Sequence, residues 1–131
     1  MSVKRRDTQQ KRLISKVVEG AGRPLSPREV HARAGQELPK VSLGTVYRTL
    51  KALQEEKRVV AVAVPGGSDR YESRSCADHH HHHFHCDSCD RLFDIPGCGL
   101  HVDRGLPTGF SIARHEVVLY GRCVECNRRD V

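Results

Sequence analysis

Apolar residues recur at helical spacing through the first part of the chain. Leu13, Ile14, Val17 and Val18 pair at i,i+4 and give one face to a helix that Asp7 or Thr8 can cap and Gly20 ends. Ser26-Pro27-Arg28-Glu29 predicts a second helix start. Serine caps, proline takes the first helical position and glutamate closes a capping box, with Val30 and Ala34 inward and Gly35 as the stop. A third helix is predicted from about Ser42 to Glu55, with Leu43, Val46, Leu50 and Leu53 as its buried stripe. The period then changes. Val59, Val60, Val62 and Val64 form a β-prone run, Pro65-Gly66-Gly67-Ser68 a turn, and Asp69-Arg70-Tyr71-Glu72 a returning strand. Three short helices followed by a hairpin is the winged-helix pattern.

Later, Arg91 to Ile95 alternates as a strand and Ser111 to Tyr120 is strongly β-prone, separated by a Gly- and Pro-rich stretch from Pro96 to Gly109. The fold class read from these patterns is α+β. An N-terminal winged helix precedes a small α/β module with an antiparallel sheet. A three-stranded sheet this small leaves an apolar edge that a second copy can cover, which predicts a homodimer.

Charge divides the chain at the same place. Residues 1–75 carry 16 basic and 8 acidic groups, residues 76–131 carry 6 and 8, and all six Cys and eight of nine His lie in the second part. The boundaries read are 1–75 for the basic module, 76–83 for a hinge and 84–131 for the ligand-rich module. A basic helical module fits an anionic partner, here double-stranded DNA. Arg12, Lys16, Thr45, Tyr47, Arg48 and Lys51 are its candidate DNA-binding residues. Thr45, Arg48 and Lys51 lie off the buried stripe of the third helix, with Tyr47 on its flank. Arg58 and Arg70 are expected to touch phosphates from the wing. No apolar run approaches a membrane span, and Met1 to Gln10 has no apolar signal core, so a cytoplasmic location and no membrane partner are expected.

The ligands suggest two kinds of metal chemistry. Cys86-x-x-Cys89 and Cys123-x-x-Cys126 each turn two thiolates toward one centre, and two such pairs complete a closed, structural zinc site. In an extended strand His79, His81 and His83 point one way, and His80 and His82 the other. Glu72 or Cys76 could complete a metal site with His81 and His83. A thiolate there favours Zn2+, a carboxylate Fe2+ or Mn2+. His80, His82, His101 and His115 make a candidate third site. Cys98 matches no pair. Enzyme classes fit poorly: neither CxxC follows proline as in zinc deaminases, and His115-Glu116 lacks the second histidine of zincins. A metal-storage or delivery protein would explain the ligands but not the basic half.

Gly44-Thr45-Val46-Tyr47-Arg48-Thr49-Leu50, Arg70-Tyr71-Glu72, the His run into Cys86-x-x-Cys89, His115 and Leu119-Tyr120-Gly121-x-Cys123-x-x-Cys126 together resemble the ferric uptake regulator superfamily of metal-responsive bacterial repressors. Cys76 ahead of the run resembles its zinc-sensing branch. The resemblance implies a winged-helix DNA-binding domain, a hinge and a dimerisation domain. It also implies a structural zinc on the four cysteines of the two pairs, and makes the site of His81 and His83 with Glu72 or Cys76 the regulatory one, holding a divalent metal at the hinge, Zn2+ favoured over Mn2+ or Fe2+. The implied partner is an AT-rich palindromic operator, gripped when metal favours one interdomain arrangement.

Overall fold

A computed structural model of the chain describes residues 3–77, 81–96 and 105–129; side chains at 3–5, 76, 77 and 81 are outside the description. The hinge positions 78–80 (with His79 and His80), Cys98 and His101, and the side chains of Cys76 and His81, therefore fall outside it. The chain divides into two compact units, Met1–His79 and His80–Val131.

In the first unit, α1 (Val3–Gly20), α2 (Pro27–Ala34) and α3 (Leu43–Glu55) are followed by β1 (Val59–Val62), β2 (Arg70–Ser73) and the single turn α4 (Arg74–Ala77). The predicted cap of α1 is corrected. The helix already runs at Val3, because Lys4 to Gln10 contains no glycine or proline and is rich in straight-chain residues that favour helix. The α2 signals hold in full. The Ser26 side chain accepts the Glu29 N–H, the Glu29 carboxylate accepts the Ser26 N–H at 3.1 Å, and Gly35 is the C-cap. Ser42 caps α3. Ile14, Val30, Val46, Leu50 and Leu53 meet in one fully buried core, while Leu43 is only half-buried. Each such side chain is worth about 1.5–3 kcal/mol of burial.

The hairpin pairs Val59 with Ser73 and Val62 with Arg70, and Leu25 adds a bridge to Tyr71 with reciprocal backbone hydrogen bonds of 2.9 and 2.7 Å. The phosphate role expected of Arg70 is corrected. Its side chain is only 2% exposed, with Nη1 3.7 Å from a Glu29 oxygen and Nε donating to the Ser68 carbonyl at 3.3 Å. Arg23 also donates to Glu29, so one carboxylate joins the α2 cap to the wing. Arg58, by contrast, stays exposed while donating to Ser15 Oγ at 2.9 Å.

The second unit is built on β3 (His81–Cys86), flanked by β4 (Leu92–Pro96) and β5 (Val118–Gly121), with α5 (Val124–Arg129) closing the chain. The antiparallel expectation holds for β3 with β4. On its other edge β3 takes β5 in parallel, pairing Cys86 with Gly121, so the three strands form a mixed sheet. The strand expected from Ser111 is corrected to Val118–Gly121. Residues 111–114 are exposed, and the Val117 carbonyl accepts from His83 N–H just ahead of β5. Gly121 packs closely on Phe84: a Cβ there would lie 3.1 Å from Phe84 Cζ, so the ring would have to yield. The buried cluster of this unit is Cys86, Cys123 and Cys126 with Phe84, Cys89 and Phe93 packed against it. So small an apolar centre calls for a staple.

Candidate metal centre and nucleic-acid surface

The two CxxC turns supply that staple. The Sγ atoms of Cys86, Cys89, Cys123 and Cys126 all lie within 4.8 Å of one another. Cys86 to Cys126 is 3.7 Å and Cys89 to Cys123 is 3.8 Å. Thiolates about 2.3 Å from a tetrahedral zinc sit about 3.8 Å apart, so the donor set has the size and chemistry of a four-thiolate zinc site. Backbone topology sets this geometry. Cys86 ends β3, Cys123 follows β5, and the Asp87 N–H donates to the Gly121 carbonyl at 2.8 Å. The Cys89 and Cys123 N–H groups point at Cys86 Sγ, at 3.5 and 3.3 Å.

The sulfurs differ electrostatically. Burial pushes the Cys86 thiol up, but backbone N–H donors at Cys123, Cys89 and Ser88 outweigh it and bring it down to about 6. Burial pushes Cys89 up to about 12, reinforced by the neighbouring thiols. A cation bound among them would displace the remaining thiol protons. Across the cluster Arg91 Nη1 meets Glu125 at 2.8 Å and fastens α5 to the foot of β4.

The histidines of β3 alternate as the sequence predicts. His83 stands opposite Asp94 on β4, with Nε2 3.4 Å from the carboxylate, and the His81 backbone pairs with Pro96. Asp94 is a candidate ligand that sequence reasoning missed; only the strand register, which pairs it with a histidine, could have revealed it. On the other face the buried His82 ring lies 4.9 Å from that of His115, so two of the four third-site candidates meet. His85 is also drawn in, its Nε2 2.7 Å from Asp90. Glu72, on β2 of the first unit, is buried.

On the first unit the candidate DNA residues lie on the surfaces of α1 and α3. Arg12, Lys16, Arg48 and Lys51 are exposed, Tyr47 is 48% exposed, and Thr45 is half-buried. The outward face of α3 thus offers a phenol beside a guanidinium, the apolar and bidentate chemistry that suits base edges in a major groove.

The sequence profile described as the ferric uptake regulator family matches residues 3–120. The ferric uptake regulation protein of Brucella abortus is 32% identical over 124 residues, covering 88% of this chain and 82% of that protein. The peroxide operon regulator of Bacillus subtilis is 29% identical over 97 residues, covering 72% of this chain; the chain spans only 65% of that relative's length. Among solved structures, a zinc-bound manganese uptake regulator superposes with a TM-score of 0.77 at 24% identity, over 88% of this chain and 89% of the other, which shows a shared fold.

Proposed function

The chain belongs to the ferric uptake regulator family of metal-responsive DNA-binding regulators, and from that premise we propose that it is a dimeric repressor whose grip on duplex DNA depends on a divalent metal. The four-sulfur cluster carries the reading. It fixes β3, the strand on which the metal-responsive histidines stand, to the rest of its unit. We take residues 1–75 as the DNA-binding domain, 76–83 as the hinge and 84–131 as the dimerisation domain. In this reading the protein is not an enzyme, works in the cytoplasm, and recognises an AT-rich palindrome through Arg12, Lys16, Thr45, Tyr47, Arg48 and Lys51. Among the described residues no helix is long and apolar enough to cross a membrane. β5 lies at one edge of the sheet with Leu119 46% and Tyr120 51% exposed, which supports its covering by a second copy.

The structural metal is zinc. The regulatory ligands are His81 and His83 with Glu72 or Cys76, and Asp94 joins His83. A metal that draws ligands from both units favours whichever arrangement gathers them, and it shifts the population only by its differential affinity. Zn2+ is favoured by Cys76. The Asp94 carboxylate beside His83 supports a second reading in which Mn2+ or Fe2+ regulates, since nitrogen and oxygen donors suit those ions. The third site would use His80, His82, His101 and His115.

The test is a fluorescence-anisotropy titration of duplex DNA with protein that keeps its structural zinc, with no added metal, Zn2+, Mn2+ or anaerobic Fe2+. Metal-stimulated binding that the joint change His81→Ala, His83→Ala abolishes supports the proposal. Binding indifferent to every metal refutes it.

A further inference from the structure

At the start of α3, three polar side chains form a chain of hydrogen bonds that ends on Arg48. Ser42 Oγ accepts the Thr45 N–H at 3.1 Å and lies 2.9 Å from Thr45 Oγ1. Thr45 Oγ1 then accepts from Arg48 Nη2 at 3.1 Å. The guanidinium lies back along the helix over Gly44, where a Cβ would be 3.3 Å from Nη1. A side chain three residues on reaches back this way because helical side chains lean toward the N-terminus.

Long cationic side chains on a helix surface normally keep their rotamer freedom, and ordering one on binding weakens the complex. Here a threonine whose only described side-chain partners are Ser42 and Arg48 already biases the guanidinium toward one placement in the free protein. One of the five guanidinium N–H groups is used, and the remaining fork stays available for a planar pair of acceptors. Gly44 leaves the space that the fork occupies.

We propose that Thr45 and Gly44 are positioning residues that aim Arg48 and thereby set sequence choice. Thr45 acts through the arginine and does not itself contact DNA. The inference rests on the reading of α3 as the DNA-contacting helix. It replaces the direct DNA role assigned to Thr45 from sequence with an indirect one.

The experiment measures, for the full zinc-containing chain with regulatory metal, the affinity ratio between two duplexes. One is selected by the parent protein from a random-sequence library; the other is a scrambled duplex of the same composition. Thr45→Val, which keeps shape but removes the hydroxyl, should lower the ratio about tenfold, and Thr45→Ser should restore it to within about twofold. The salt dependence should stay unchanged in both, because the number of phosphates neutralised is the same. Gly44→Ala should raise the melting midpoint, since alanine favours helix, and yet lower the ratio by displacing the guanidinium. A role confined to helix stability could not give that pairing. Thr45→Val weakening both duplexes equally, or leaving the ratio intact while Arg48→Ala collapses it, overturns the positioning role alone. Arg48→Ala that leaves both affinities at parental values overturns the α3 reading as well.

Discussion

Replacing Glu29 should separate two contributions that this one carboxylate makes to the first unit. Its side chain accepts the Ser26 N–H in the capping box and faces the guanidiniums of Arg23 and Arg70. Exposure is 24% for Glu29, 12% for Arg23 and only 2% for Arg70, so the charges meet largely out of water. Glu29→Gln keeps a cap acceptor and removes the charge. Breaking a fully buried ion pair costs about 3–5 kcal/mol. The partial exposure of Glu29 and the carbonyls of Pro24 and Ser68, which the arginines also use, reduce this to about 2–3 kcal/mol. Glu29→Ala loses the cap as well, adding about 1 kcal/mol. The assay is urea denaturation of the zinc-loaded chain at neutral pH, followed by far-ultraviolet circular dichroism, which the three helices dominate. With a slope of about 1–1.5 kcal/mol per molar urea, Glu29→Gln should lower the midpoint by about 2 M. Acid supplies a second arm. Burial raises the Glu29 pKa, but Arg23, the Ser26 N–H and Arg70 together hold it below its ordinary 4.5. A depressed folded-state pKa gives stability that is fully present above 4.5 and lost as pH falls through the folded value. The gap between parent and Glu29→Gln should therefore narrow on acidification below 4.5. A neutral-pH difference under about 0.5 kcal/mol, or a gap that widens in acid, refutes the reasoning.

Further outcomes follow from the second unit. Cys86→Ser should abolish zinc retention through gel filtration and unfold that unit, a loss on the order of 10 kcal/mol, read by metal analysis and limited proteolysis; a protected, zinc-free unit would refute the assignment. Gly121→Ala should cost about 1–3 kcal/mol by driving a methyl into the Phe84 ring, read as a lowered melting midpoint, and Gly121→Ser should do no better. Asp94→Asn should weaken the response to Mn2+ and Fe2+ more than the response to Zn2+, measured by metal-dependent anisotropy; equal loss for all three would remove the carboxylate's role in metal choice.

Local signals carried most of the first unit. Ser26, Pro27 and Glu29 act within one helical turn, and the stripe of α3 has a single period, so both read directly from sequence. The cysteine spacing carried the metal centre for the same reason: each pair is a local turn, and the ion supplies the long-range rule. What stayed hidden is non-local. Hydropathy places an arginine outside, but Arg70 is buried because a glutamate from another element meets it. Asp94 gains meaning only from its register against His83, and the parallel docking of β5 depends on a connection whose sequence has no period.

The cysteine that ends β3 has a further consequence for the histidines before it. Adjacent residues on that strand look to opposite sides, so a slip of one position would exchange the two sets of imidazoles wholesale. Within the histidines themselves every alternative pairing presents the same side chain, so the register has to come from residues beyond them. Cys86, pinned to three other sulfurs, is the end-stop that indexes the ladder. On the proposed reading, an ion held by the four sulfurs would set which imidazoles a regulatory ion meets, and a chain stripped of the first should misread the second even where its backbone stays extended.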